Sequence, residues 1–496
     1  MALLLGYDVG SSSIKAALME SDTGKVLASA VCPQKELDII AEQPGWAEQN
    51  PQVWWDNVKS AARQIKAKVH FGPRDVKAIG ISYQMHGLVV VDRNREVLRP
   101  AIIWCDSRAV EIGREGAETI GEEKCLESLL NLPGNFTASK LKWVMQNEPK
   151  IYSGIYKIML PGDYVAMRMT GEIKTTPSGL SEGIMWDFQR QGLADLLLDY
   201  YGIDPELIPE TVPTFSIQGQ LTKSAADELG LEAGTPVSYR AGDQPNNALS
   251  LNVLRPGEIA ATAGTSGVVY GVSDKADFDS SSRVNTFVHV NHTPQVPRYG
   301  VLLCINGTGI LNSWLRHNVT DTIGYEQMNK LALQVPAGSD GLVILPYGNG
   351  AERTLENKDI GASVHNLNFN IHSRAHLLRA AQEGIVFALN YGLAIMRGVG
   401  VEVRTVRAGN ANMFLSDLFS MAFATVTGSV VQLYNTDGAQ GAARGAGIGT
   451  GIYKTMDDAF VGLKPVKTVE PDEKLAPTYQ EVYKKWETIL KEKLAV

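Results

Sequence analysis

The sequence predicts an α/β protein of two domains with mixed sheets and an active-site cleft where they meet. Three observations predict it. At 496 residues the chain is longer than one hydrophobic core usually supports. Short β-type runs are interleaved with helical repeats along the chain. A strand, a Gly/Ser/Thr turn and a second strand open the chain and recur past its middle, alike in type though not in residues, as duplicated α/β domains would be.

The opening reads as strand Leu3 to Val9, a Gly/Ser turn, strand Ile14 to Met19, a turn at Asp22-Thr23-Gly24 and strand Val26 to Val31, an antiparallel trio. Asn50 then caps and Pro51 begins a helix with Val53, Trp54, Val58, Ala61, Ala62 and Ile65 on one face. Strand Val76 to Tyr83 follows, and Glu258 to Val272 repeats the strand, turn, strand pattern. Between the halves, the polar Gly242-Asp243-Gln244-Pro245 segment marks a hinge, so domains are expected at 1–250 and 251–455, with a packed helical tail over 456–496. The small residues of Gly438 to Gly451 suit close helix packing or close approach of backbone to a ligand. In Glu481 to Lys493, Val482, Trp486, Ile489 and Leu490 recur at helical spacing.

Composition excludes several classes. Hydrophobic residues at 44% and charged residues at 20% are ordinary for a folded globular protein, and no apolar run approaches a bilayer span. Gly6, Asp8 and Gly10 interrupt the apolar opening at once, so no export signal is expected. A net charge of −8 without a long basic run argues against nucleic acid as a partner. Cys32, Cys105, Cys125 and Cys304 are widely spaced with no metal-ligand pattern, which reads as buried free thiols in a reducing, cytoplasmic compartment.

Four segments carry chemistry. Asp8-Val9-Gly10-Ser11-Ser12-Ser13-Ile14-Lys15 puts a carboxylate, a permissive glycine, three hydroxyls and a cation around one turn. Backbone N–H groups and hydroxyls such as Ser12 can donate to phosphate oxygens, Lys15 can offset charge, and Asp8 can hold a hydrated Mg²⁺. An ordinary hairpin turn reads the same way. Ala263-Gly264-Thr265-Ser266-Gly267 between two apolar strands could hold a phosphate in the same manner. Two such loops in two α/β halves are the arrangement of the actin-like ATPase architecture. Asp243 has two open readings, a base within reach of a reacting hydroxyl and a cap for the helix near Pro245. Gln84-Met85-His86-Gly87 follows a strand, at the end where open α/β sheets bind ligands, and an imidazole beside a thioether suits a sugar; a structural histidine is the other reading. Trp46 and Glu48 read as sugar-facing wall or as core.

Taken in order, these segments resemble the FGGY carbohydrate kinases, over nearly the whole chain to about Gly451. Asp8 to Lys15 is similar to the family's first phosphate motif, and Ala263-Gly264-Thr265-Ser266 to its second. Gly45-Trp46-Ala47-Glu48-Gln49-Asn50-Pro51 resembles the segment before its first helix. Thr137-Ala138-Ser139-Lys140-Leu141-Lys142-Trp143 matches its Thr-x-x-Lys-[apolar]-x-Trp signature. Asn306-Gly307-Thr308-Gly309 with Trp314 resembles the nucleotide-side helix, Ala408-Gly409-Asn410-Ala411-Asn412 the adenosine loop, and Gly441-Ala442-Ala443-Arg444 the closing helix. Departures are Ser11 and Ser12 for threonines, Gln244 for the asparagine usual in the ketopentose branch, and Ala408-Gly409-Asn410 for a glycine run.

The resemblance implies two ribonuclease-H-like, actin-like ATPase domains, with sugar mostly on the first and Mg·ATP mostly on the second. It makes Asp243 the catalytic base. Met85, His86, Asp243 and Gln244 become sugar contacts, and Ser12, Lys15, Gly264, Thr265, Gly309, Gly409, Asn410 and Asn412 ATP contacts, with Asp8 and Asp243 at Mg²⁺. The Gln-Met-His-Gly form points to a ketopentose, D-xylulose first, where glycerol kinases carry an Arg-Glu pair. Other acceptors within the family are L-ribulose, L-fuculose, glycerol and gluconate, and a non-catalytic actin-like nucleotide-binding protein is the distant rival. The expected partners are a small-molecule sugar and ATP, without nucleic acid or membrane, and a homodimer is the assembly to test.

Overall fold

The computed structural model describes Ala2–Ala495, which gather into two compact units. The first holds the chain up to Asn252 with Phe287–Arg298 and Thr436–Leu463, and the second holds Val253–Thr286, Tyr299–Asn435 and the chain from Lys464 onward. By compactness the chain is grouped otherwise than as contiguous segments. Residues 436–455 pack with the first unit rather than the second, and the expected tail divides at Leu463. A helix that returns to a distant sheet leaves no mark in a contiguous reading of the chain.

In the first unit, β1 (Leu3–Val9), β2 (Ile14–Glu20), β3 (Val26–Cys32), β4 (Val76–Tyr83), β5 (Phe215–Gln220) and β6 (Pro236–Gly242) form a sheet in the order β3-β2-β1-β4-β6-β5. Pairing is antiparallel from β3 to β1, parallel from β1 through β4 to β6, and antiparallel at β5. On one side lies α1 (Pro51–Lys68), where Asn50 accepts from the Gln52 N–H and Pro51 fills the first turn. Its buried face holds Trp54, Trp55, Val58, Ala61, Ala62 and Ile65. Val53, expected on that face, is 37% exposed because it lies on the flank of the apolar stripe, and Trp55 takes the buried place. The returning helix, Gly438–Gly449, packs against β1 and β4. Contact is so close that a Cβ built on Gly6 of β1 would lie 1.9 Å from the Ala439 carbonyl oxygen, so only glycine fits there.

The second unit repeats the plan with β7 (Glu258–Ala263), β8 (Gly267–Ser273), β9 (Tyr299–Ile305), β10 (Thr405–Gly409), β11 (Val430–Tyr434) and β12 (Pro465–Val469). Their order is β9-β8-β7-β10-β11-β12, with the same succession of antiparallel, parallel and antiparallel pairings. Both halves are thus ribonuclease-H-like, as the echo of strand, turn, strand predicts. The last helix runs Ala476–Leu494, earlier at its start than Glu481, and buries Tyr479, Trp486 and Leu490. Trp486 Nε1 donates to the Ile344 carbonyl at 2.9 Å, fixing that helix on the core.

Among the described residues no helix is long and apolar enough to cross a membrane. The four cysteines are free thiols, but the expectation that all are buried fails: Cys32 and Cys125 are buried, Cys304 is half-buried and Cys105, in a loop, is exposed.

Candidate active site

Two parallel neighbours, β4 and β6, end side by side, with Tyr83 opposite Gly242. Whatever follows each strand is therefore brought together at the carboxyl edge of the sheet, where α/β sheets place their ligands. After β4 come Gln84, Met85 and His86; after β6 come Asp243 and Gln244, the first residues of α2 (Asp243–Ser250). A Cβ on Gly242 would sit 2.6 Å from Met85 Cγ, so the two turns are in contact. The cap of α2 is Gly242, not Asp243, and the Asp243 carboxyl is not a helix cap. It accepts instead from the backbone and side-chain amides of Gln244, while burial and the nearby Asp8 charge push its pKa up to about 7.

The turn after β4 is held in an unusual shape. His86 has φ 60°, a left-handed conformation that costs a side-chain-bearing residue energy unless its surroundings impose it. The surroundings do: Nδ1 donates to the Glu182 carbonyl at 2.7 Å, and buried Lys140 donates to the His86 carbonyl at 2.8 Å and to Ile103 at 3.1 Å. Thr137 donates to the Gly87 carbonyl at 3.3 Å. Thr137 and Lys140 of the Thr-x-x-Lys run thus hold this turn. Burial pushes the Lys140 pKa down to about 7. Phe136 meets the imidazole edge-on at 4.9 Å and Phe287 flanks it at 5.7 Å.

At the carboxyl end of β1, Asp8 accepts from Ser82 at 3.0 Å and lies 3.8 Å from the Lys15 ammonium. Burial raises its pKa, which Lys15 and Ser82 counter and Asp437 adds to. Gly438, beginning the returning helix, approaches so closely that a Cβ there would lie 2.7 Å from the Asp8 carboxyl. Ser12 is exposed on the turn, its carbonyl accepting from Leu37 N–H at 2.9 Å. Gln49 bonds the Ser11 carbonyl at 2.7 Å and the Trp54 indole at 3.0 Å, linking the Gly-Trp-Ala-Glu-Gln segment to this turn. Glu48 is buried and Trp46 half-buried around one cation: the Arg108 guanidinium lies 3.8 Å from the Trp46 ring and 2.7 Å from Glu48. Asp8 and Asp243 are two carboxylates near enough to feel each other, and no group of three or more metal-ligating side chains occurs among the described residues. A pair of carboxylates fits Mg²⁺, which keeps most of its waters.

In the second unit a cavity of about 640 Å³ opens beside the turn between β7 and β8. Gly264, Thr265, Gly309 and Asn412 line it, with Asn312, Ser313, Tyr325, Glu326, Asn329 and Ser416. Its floor is backbone: Gly309 N–H donates to the Gly264 carbonyl at 2.8 Å, and the Thr308 hydroxyl to Gly264 and Thr265 at 3.0 and 3.1 Å. Gly409 and Asn410 do not line it; Asn410 N–H is spent on the Tyr434 carbonyl at 2.8 Å.

Family models for the FGGY family of carbohydrate kinases match residues 3–250 with the N-terminal domain and 259–449 with the C-terminal domain. The chain belongs to the FGGY carbohydrate kinases. It is a sugar kinase, a phosphotransferase with an alcohol acceptor. It is 29% identical to the xylulose kinase of Bacillus subtilis (strain 168), over 92% of this chain and 90% of that one. Among solved structures, xylulose kinase from Rhodospirillum rubrum superposes with a TM-score of 0.89 at 26% identity, covering 99% and 98% of the two chains. Gluconate kinase from Lactobacillus acidophilus shares the fold, with a TM-score of 0.90 at 22% identity over 100% and 98%. Sequence reasoning missed Glu182, Asp437 and the Tyr325 to Asn329 face of this FGGY kinase. Asp437 had a signal, an acidic cap directly before a glycine-rich helix; Glu182 had none, since no local pattern announces a buried acid.

Proposed function

We propose that this kinase phosphorylates a ketopentose, D-xylulose first, at a hydroxyl held near Asp243. The observation that carries the reading is the junction of the two turns after β4 and β6, where Met85, next to His86, meets Gly242 of the Gly242-Asp243-Gln244 turn. Asp243, with its pKa raised toward neutrality, suits a base that orients a hydroxyl and accepts its proton late in transfer. The hydroxyl oxygen bonds to the γ-phosphorus, the bond to the ADP oxygen breaks, and the hydroxyl proton passes to Asp243. His86, with Nδ1 donating to a carbonyl, has Nε2 as the acceptor of a neutral ring, and Met85 offers an apolar flank to sugar carbons. Gln244 extends the polar edge of that pocket.

The cavity beside Gly264 and Thr265 suits ATP, with Gly309 and Asn412 at its wall, and in the first unit Ser12 and Lys15 are groups suited to phosphate oxygens. Asp8 and Asp243 would hold Mg²⁺, which when bound supplies charge neutralisation to the phosphates. The likeness to xylulose kinases along nearly the whole chain supports the ketopentose over other acceptors. ADP release measured with D-xylulose, L-ribulose, L-fuculose, glycerol and gluconate tests it. D-xylulose should give the highest kcat/KM, and a clear preference for glycerol or gluconate would overturn the assignment.

A further inference from the structure

Asn329, on the helix Tyr325–Ala332, lines the 640 Å³ cavity of the second unit. Its side-chain amide is not free to choose which end faces the cavity. Gln382 Nε2 donates to Asn329 Oδ1 at 3.0 Å, and Ser416 Oγ donates to Gln382 Oε1 at 2.7 Å. Gln382 and Ser416 are both buried, at 1% and 3% exposure.

An amide chain of this kind could run in either sense, because asparagine and glutamine carry a donor and an acceptor at interchangeable ends. The far end settles the sense. Ser416 caps the helix Asp417–Thr427, its oxygen accepting from the Phe419 backbone N–H at 3.3 Å. A backbone N–H can only donate, so the serine oxygen accepts there with one lone pair, and its one proton is given to Gln382 Oε1. Gln382 must then offer its oxygen to Ser416 and its nitrogen to Asn329. Asn329 is left with Oδ1 engaged and Nδ2 as the group turned to other partners. The reverse sense would make Ser416 Oγ accept twice and give up its bond to Gln382 Oε1.

We infer that the Ser416, Gln382 and Asn329 chain fixes Asn329 as a hydrogen-bond donor that reads an unprotonated ring nitrogen of the nucleobase. The inference rests on the reading of this cavity as the nucleotide site and adds to it the residue that selects the base. A donor held in one orientation favours a ring nitrogen with a lone pair and disfavours one that carries hydrogen, which is a difference between adenine and guanine at the pyrimidine-ring edge. Asn329 would bind substrate directly, whereas Gln382 and Ser416 would be positioning residues.

The test is equilibrium binding of ADP and of 1-deaza-, 3-deaza- and 7-deaza-ADP, in each of which one ring nitrogen is replaced by C–H. The wild-type protein should bind 1-deaza-ADP about 3- to 10-fold more weakly than ADP, the range for one lost neutral hydrogen bond, and the 3-deaza and 7-deaza analogues like ADP. A penalty at either of those two instead would overturn selection of the base by Asn329. The 1-deaza penalty should vanish in Asn329→Ala. It should shrink in Gln382→Leu, which keeps Asn329 but releases its amide to rotate. Thermal melting of both variants reports whether the fold is kept. If wild type binds ADP and all three analogues alike, or if the penalty survives in Asn329→Ala, the inference is wrong while the nucleotide site stands. Absence of ADP binding to wild type would overturn the nucleotide reading and this inference with it.

Discussion

The turn between β1 and β2 and the turn between β7 and β8 occupy the same place in two sheets that share a pairing order over six strands, the second sheet adding Asn285–Val288 at its edge, yet the turns are chemically opposite. The first is acidic. Asp8 ends its strand against Lys15, with Asp437 and Asp243 adding negative charge to the same neighbourhood. The second is neutral, Thr262-Ala263-Gly264-Thr265, and its carbonyls are tied to Thr308 and Gly309 beside an uncharged floor. One fold, used twice, therefore carries two chemistries: carboxylates at the turn of one unit, and backbone and hydroxyl groups at the turn of the other, which the proposed function assigns to a cation and a proton and to phosphate and nucleoside. The lesson is that the repeat supplies position and the residues at the turn supply chemistry.

The sharpest way to break this contrast is to remove the acid from the acidic half. Asp243→Ala should lower kcat by about 100-fold or more, the lower bound for a lost general base, while calorimetry finds ADP affinity changed by less than about 2-fold. Loss of ADP binding in that variant would mean that the jobs are not divided as drawn. The neutral half is tested by Gly309→Ala, whose new Cβ would lie 2.3 Å from the Gly264 carbonyl oxygen. ADP should bind about 10-fold more weakly, the effect of a forced shift in packed backbone, with the melting of the first unit unchanged.

His86→Ala refines the contrast within the acidic half. It should raise the sugar KM by about 3- to 10-fold, the cost of one hydrogen bond to a neutral hydroxyl, and leave the ATP KM in place. A lower melting temperature with an unaltered sugar KM would instead assign His86 to structure.

The smallest effect concerns stability. Asp243 has a folded pKa of about 7 against 3.8 for the free group, so folding favours its protonated form. Its contribution therefore worsens as pH rises from 3.8 and is fully unfavourable above about 7. In chelator at pH 8, Asp243→Asn should melt about 2–4 °C above wild type, with a smaller gap at pH 5. Added magnesium should narrow the pH 8 gap by stabilising wild type alone. Differential scanning calorimetry reads both.

Much of this was legible in the sequence because it is local. The opening trio of strands, the Asn50-Pro51 helix start and both phosphate-type turns depend on neighbours within a few residues, and the structure has them. What escaped depends on distance along the chain. Gly438–Gly449 packs on β1 and β4, hundreds of residues earlier, and no periodicity announces its destination. The burial of Glu182 beneath Gly242, where its carboxyl would meet a Cβ at 2.2 Å, is likewise a product of tertiary contact. Burial and the Asp243 charge drive its pKa well up, a property that requires knowing both neighbours. Asn410 shows the two together: its motif is local, but the bond of its backbone N–H to the Tyr434 carbonyl is a pairing with a distant strand end.

The most direct test of the whole account is phosphorus NMR of the wild-type enzyme with ATP, magnesium and D-xylulose. The account predicts one new phosphomonoester per ADP formed, its resonance split by the two protons of a primary carbon. ADP accompanied by inorganic phosphate alone, or no ADP with D-xylulose while another acceptor is consumed, would contradict it.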